Sequence, residues 1–300
     1  MNQCTTRLEQ SVPQGIDARQ NIRMNWQPRG ADPAIRAALY PDIPAWMERP
    51  LLIWAAGVSS EEYFNDWANM EKRPDVALLQ EYETAARRPS SLIPGFRGGG
   101  VEYLRAQMTG DEFLDFVDFL VYKSVDRQVV LEVLEVVLSE AGSEWTIGSR
   151  GGHASLEKRV PEGVMLAAEA AMRQTGTAGQ LLSEAWRAVF GRAPDPEEAF
   201  EKAIKAVEEA GAATVSPKNA RTTLGTMVRD MKAQGDWKLP LVSTEADAPV
   251  RLAEAIWASQ QSRHGGNAYR KPTRDEAEAA VVAAVSLVHW FASGALARRP

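Results

Sequence analysis

Asp195-Pro196-Glu197-Glu198-Ala199-Phe200-Glu201-Lys202-Ala203-Ile204-Lys205-Ala206-Val207 reads as a single helix from cap to core. Asp195 offers a side-chain oxygen to the unpaired N–H groups of a first turn, and Pro196 has its φ preset for the first helical position. Phe200, Ala203, Ile204 and Val207 recur at the spacing that places them on one face. On the other face Glu198 precedes Lys202 and Glu201 precedes Lys205 by four residues, acid first, the favourable order. That charge run is a solvated helix face rather than a binding surface.

The same reading extends in both directions. Downstream, Ser216-Pro217 predicts the start of a helix containing Thr222-Thr223-Leu224-Gly225, and Asp247 predicts one reaching about Gln261. Thr273-Arg274-Asp275-Glu276 has the form of a capping box, opening a last helix through Val281, Val285, Val288 and Phe291 that ends at Gly294. Upstream, helices are predicted from Pro161 to about Arg173 and from Ala178 to Phe190. Thr109-Gly110-Asp111-Glu112 is a second capping box, followed by Phe113, Phe116, Val117 and Leu120, and then by a stripe through Val130, Leu134, Val137 and Leu138 that Gly142 closes.

Only residues 143 to 160 change period. Trp145 and Ile147 share one strand face, Gly148 to Gly152 make a turn, and Leu156 and Val160 share another face, which predicts a small β-hairpin. The expected fold class is therefore all-α, mainly a helical bundle, with one small hairpin. Residues 1–142 form an N-terminal helical region, and 143–300 form the hairpin plus a C-terminal bundle. The first thirty residues read as polar and irregular. Trp26, Trp46, Trp54 and Trp67 follow as core material, in a segment that Pro41, Pro44 and Pro50 break into short helices. Pro89 to Gly95 and Gly98-Gly99-Gly100 read as a loop, and without a following Gly-Lys-Ser/Thr they are not a phosphate-binding loop.

Composition narrows the class. The 300 residues are 45% hydrophobic and 25% charged, with a net charge of −6, which suits a globular protein with a sizeable core. No run approaches the ~20 apolar residues of a membrane span, and the beginning of the sequence has no secretory pattern, so a cytoplasmic protein without membrane contact is expected. Cys4 is the only cysteine, so neither an internal disulfide nor a cysteine metal cage is possible. The three histidines, His153, His264 and His289, are far apart in sequence and no His-Glu-x-x-His occurs, so no metal or other cofactor is expected. Gly-x-Ser-x-Gly and a dinucleotide glycine fingerprint are absent too. His153 reads as an exposed turn residue, and His289, beside Trp290 and Phe291, as a packed core histidine.

One stretch stands apart chemically. Ser262-Arg263-His264-Gly265-Gly266-Asn267, with Tyr269, Arg270, Lys271 and Arg274, carries four cations and no acid. Histidine is suited to proton transfer near neutral pH, arginine to phosphate, and two glycines let backbone approach a ligand. His264 and Arg263 are the candidate catalytic residues. Arg270, Lys271, Arg274 and Arg251 are candidate phosphate contacts, and Tyr269 is a surface on which a base can stack. Arg251 lies on one polar stripe of the preceding helix with Glu254 and Gln261.

The helix opened by Asp195-Pro196, then Thr223-Leu224-Gly225, then Arg263-His264-Gly265-Gly266 and a final alanine-rich helix together resemble the abortive-infection C-terminal domain. That domain is a branch of the HEPN helical superfamily, and the resemblance covers roughly residues 177–296. It implies a helical bundle, often dimeric, acting as a metal-independent endoribonuclease in antiviral defence, with or without a companion or antitoxin protein. The family usually places an arginine before the histidine with four to six residues between them. Those positions here are Trp257, Ala258 and Ser259, so only the histidine matches. The expected function is RNA binding or cleavage through the basic loop. Its rival is a non-catalytic dimerisation or interaction module. A small-molecule sensor would instead need a deep pocket lined by the N-terminal tryptophans.

Overall fold

The computed structural model describes residues 29–30, 32, 34–35, 38–64, 70–150, 152–219, 221–242, 247–261 and 270–299. Among the described residues the structure is mainly helical, with three two-stranded antiparallel ribbons. In chain order the elements begin with α1 (Ala45–Val58), β1 (Ser60–Phe64), β2 (Met70–Pro74), α2 (Val76–Ala85), α3 (Ile93–Ala106), α4 (Gly110–Lys123) and α5 (Gln128–Glu140). The hairpin β3 (Trp145–Arg150) and β4 (His153–Lys158) follows. Then come α6 (Glu162–Gln174), α7 (Gly176–Phe190), α8 (Pro196–Val215), α9 (Leu224–Gln234), β5 (Trp237–Lys238), α10 (Ala248–Gln261), α11 (Arg274–Ala292) and β6 (Ala297–Arg298).

Two hydrophobic clusters organise these elements. The first gathers Leu51, Trp54, Leu79, Phe113, Phe116, Leu120, Leu134 and Leu138 from α1, α2, α4 and α5. The second gathers Trp186, Phe190, Phe200, Ile204, Val207, Met227, Val281 and Val288 from α7, α8, α9 and α11. Non-directional burial selects these residues, each worth about 1.5–3 kcal/mol when fully removed from water. The hairpin lays Trp145, Ala154 and Leu156 into the first cluster. The cores thus part near residue 160, and the ribbon goes with the N-terminal core, because α4 supplies the apolar face its inward-pointing residues need.

The local predictions meet the coordinates at most helix starts. Asp195 caps α8 by accepting from the N–H groups of Glu197 and Glu198, and Thr109 and Thr273 close capping boxes with Glu112 and Glu276. Elsewhere the structure departs from the sequence reading. Residues 93–106, triple glycine included, form α3, with Phe96 and Leu104 buried along it and Leu92 buried at its N-cap, so packing overrides the poor helix propensity of glycine. Helix α1 runs through Pro50, with Met47, Leu51, Trp54 and Val58 buried along one stripe.

Ser216 ends α8 instead of starting a helix: its hydroxyl donates to Asp230, and α9 begins at Leu224 under a Thr223 cap. Lys202 bonds Glu184 on α7 rather than Glu198 on its own helix, since a neighbouring helix brings a carboxylate closer than the next turn does. The ribbons β1–β2 and β5–β6 are additions to the single hairpin expected.

Two glycines set helix distances in the second core. A Cβ on Gly225 would lie 2.4 Å from the ring of Trp257, and one on Gly211 would lie 2.4 Å from Met227 and 2.9 Å from Phe291. These absent side chains let α9 and α10 close up, and let α8 approach α9 and α11.

Candidate functional site

The candidate site is the end of the C-terminal bundle where α10 runs towards α11. His264, Arg263 and Tyr269 lie outside the described residues. Arg270, Lys271 and Arg274 lie where the chain re-enters, each against an acid. Arg270 forms a two-pronged ion pair with Glu276, Nη2 at 2.5 Å and Nη1 at 2.9 Å from its two oxygens. Lys271 reaches Glu197 in the first turn of α8 at 3.1 Å. Arg274 contacts Glu278 at 3.1 Å, and Lys158, from the end of β4, contacts the same carboxylate at 2.9 Å.

Arg251 does not join this group. It pairs with Asp247 at 3.5 Å near the start of α10, ten residues from Gln261, or about 15 Å along the helix axis. Glu254, on the stripe shared with Arg251, binds Lys232 of α9.

Glu276 is the pivot of the described site. One of its oxygens accepts the N–H of Thr273 in the capping box while both face Arg270. These bonds, with the arginine's first in importance, hold its carboxyl down to about 2. The pair is charged at any physiological pH. Being exposed, it is held only weakly against exchange with other ions.

A cleft of about 330 Å³ lies beside this pair, between α10, α11 and the start of α8. Leu252 and Ile256 form one wall, Ala279, Ala280 and Ala283 the other, and Phe200 closes the floor. The cleft is open because one wall is alanine: α11 presents methyl groups where longer side chains would meet α10. Ser259, Arg270 and Glu276 supply its polar groups.

A second polar assembly, unnoticed in the sequence, joins the two cores. Trp186 donates its indole N–H to Glu157, which is only 3% exposed, at 3.1 Å. Arg192 stands 2.8 Å from Asp115 and lies over the Trp145 ring at 4.6 Å. Asp118 of α4 accepts the N–H of Leu156 at 2.6 Å. Burial raises its carboxyl to about 6, against the lowering effect of that bond and of Arg192. The one sequence signal is an acid set within the apolar run Phe116-Val117-Asp118-Phe119-Leu120.

The other histidines stay apart from both places. His153 is exposed at the ribbon tip, opposite Arg150, and stacks on Tyr122 with ring centroids 5.5 Å apart. His289 is exposed on the last turn of α11 instead of packed in the core, because that helix turns Leu287, Val288 and Phe291 inward. Of the N-terminal tryptophans, Trp54 is buried and bonds the carbonyl of Val130, whereas Trp46 is 56% exposed. Trp26 and Trp67 lie outside the described residues. No helix among the described residues is long and apolar enough to cross a membrane.

Comparison with protein-family profiles, with characterised proteins and with solved structures finds no match.

Proposed function

We propose that this protein binds RNA at the α10–α11 end of its C-terminal bundle, with His264 moving the proton in metal-independent cleavage. The supporting observation is that Arg270, Lys271 and Arg274 gather at the start of α11, immediately after the Arg263-His264-Gly265-Gly266 stretch in sequence. The Arg270 and Lys271 pairs are largely exposed, so their carboxylate partners exchange readily for a phosphate, whereas Arg274 and Glu278 are half-buried. Cleavage needs no further group. The ribose 2′-hydroxyl attacks the neighbouring phosphorus, the 5′-oxygen leaves, histidine moves the proton, and Arg263 stabilises charge on the phosphoryl oxygens. Abortive-infection defence, in a homodimer with or without a companion protein, is the setting that the HEPN resemblance gives this chemistry.

The second reading is a non-catalytic module that dimerises or docks a protein or nucleic-acid partner. The pairing of Arg270, Lys271, Arg274 and Arg251 with acids favours it, since a surface already neutralised attracts RNA less strongly.

The deciding experiment incubates wild type and His264→Ala with end-labelled RNA in chelator, alongside a binding titration. The proposal expects both proteins to bind and only the wild type to cut. Binding without cutting by either leaves the docking module, and no binding at low salt removes RNA altogether.

A further inference from the structure

We propose that the cleft between α10 and α11 receives one unstacked base of single-stranded RNA, an inference that rests on the RNA reading above. At about 330 Å³ the cleft is at the small end of ligand pockets, and large enough to take a heterocycle.

Its walls are chemically suited to base faces. Leu252 and Ile256 stand on α10, and Ala279 and Ala283 stand on α11, each pair spaced by one helical turn. Two apolar stripes facing across a gap form a slot, and the two faces of a heterocycle are its apolar surfaces. Its edge is not apolar, and the rim answers that. Arg270 brings guanidinium donors, Glu276 a carboxylate acceptor and Ser259 a hydroxyl. A purely aliphatic ligand would leave this rim unused. A base edge, with donors and acceptors side by side, uses both kinds of group. Arg270 also belongs to the cation cluster at the start of α11, so the slot and the phosphate contacts share a residue.

The slot admits only a base that has left its stack. Duplex RNA presents paired bases whose faces are covered, and single strands offer theirs freely. The inference therefore sets the substrate class as single-stranded RNA or an unpaired loop.

Ala279 is exposed on α11, and leucine is nearly as good a helix former, so Ala279→Leu closes the slot with little disturbance of the fold. Ala255→Leu does the same from the α10 wall, where Ala255 is exposed too, and the melting temperature of each variant checks the fold. Fluorescence anisotropy would compare a labelled single-stranded decamer with a duplex of equal length on wild type and both variants. Wild type should prefer the single strand about tenfold, and the folded variants should lose that preference while duplex binding stays unchanged. Single-strand binding unaltered by either variant overturns the base slot and leaves the RNA reading standing. No RNA bound by any of the three proteins overturns both.

Discussion

Trp186 on α7 and Glu157 on β4 meet through a single hydrogen bond of 3.1 Å, and the two residues come from opposite sides of the division between the cores. A buried carboxylate is tolerated only where donors compensate for its lost hydration. Trp186→Phe keeps an aromatic ring there and removes that donor. The variant should lose about 2–4 kcal/mol of stability in urea unfolding, combining a lost bond to a charged acceptor with a smaller ring in a packed core. A loss below about 0.5 kcal/mol would show the bond to be incidental.

Asp118 predicts an unusual pH dependence. Its carboxyl titrates near 6 in the folded chain instead of near 3.8, so the native state holds a proton that the unfolded state has released between those values. Its contribution to stability is therefore greatest below about pH 4, falls as the pH rises to about 6, and stays reduced above that. Asp118→Asn keeps an acceptor for the Leu156 N–H without the charge. It should raise stability at pH 7.5 by about 1–3 kcal/mol and leave it unchanged at pH 4, which thermal unfolding at the two pH values would read.

Gly225→Ala tests the close approach of α9 and α10. A methyl group there meets the indole of Trp257 at 2.4 Å, and crowding of this kind costs about 1–3 kcal/mol. The melting temperature should fall by several degrees. The double variant with Trp257→Leu should recover part of that loss, since the smaller side chain clears the space.

Glu276→Gln separates the cap from the clamp. Glutamine still accepts the Thr273 N–H but no longer neutralises Arg270, so the melting temperature should stay nearly unchanged. RNA affinity should rise several-fold, and the slope of log affinity against log salt should steepen by roughly one phosphate contact. An unchanged affinity would mean that Arg270 does not face the ligand.

Signals that act within one helical turn were legible in the sequence. The Asp195, Thr109 and Thr273 caps, and the stripes through Phe113 to Leu120 and Phe200 to Val207, specify their own helices. Burial against distant partners was not. Nothing near Gly98-Gly99-Gly100 announces that Leu92, Phe96 and Leu104 bury enough surface to hold a helix there. Nothing beside Lys202 reveals that Glu184 packs closer than Glu198. The site divides in the same way. Its cation-rich composition is visible in one stretch of chain, but Glu197 and Glu278 come from other turns and helices, and the alanine wall needs α10 opposite it to become a cleft.

The β3–β4 ribbon gives its apolar side chains to the N-terminal core, while Glu157 and Lys158, its last two residues, hold Trp186 and Glu278 of the C-terminal bundle. The two bodies therefore share one cooperative unit. Separating the chain near residue 160 would strip the first half of the Trp186 donor to its buried acid and strip the second of the ribbon residues that Trp186 and Glu278 bond. Neither half is a natural module to express by itself, and a lesion in the first core should be felt in the packing of the second.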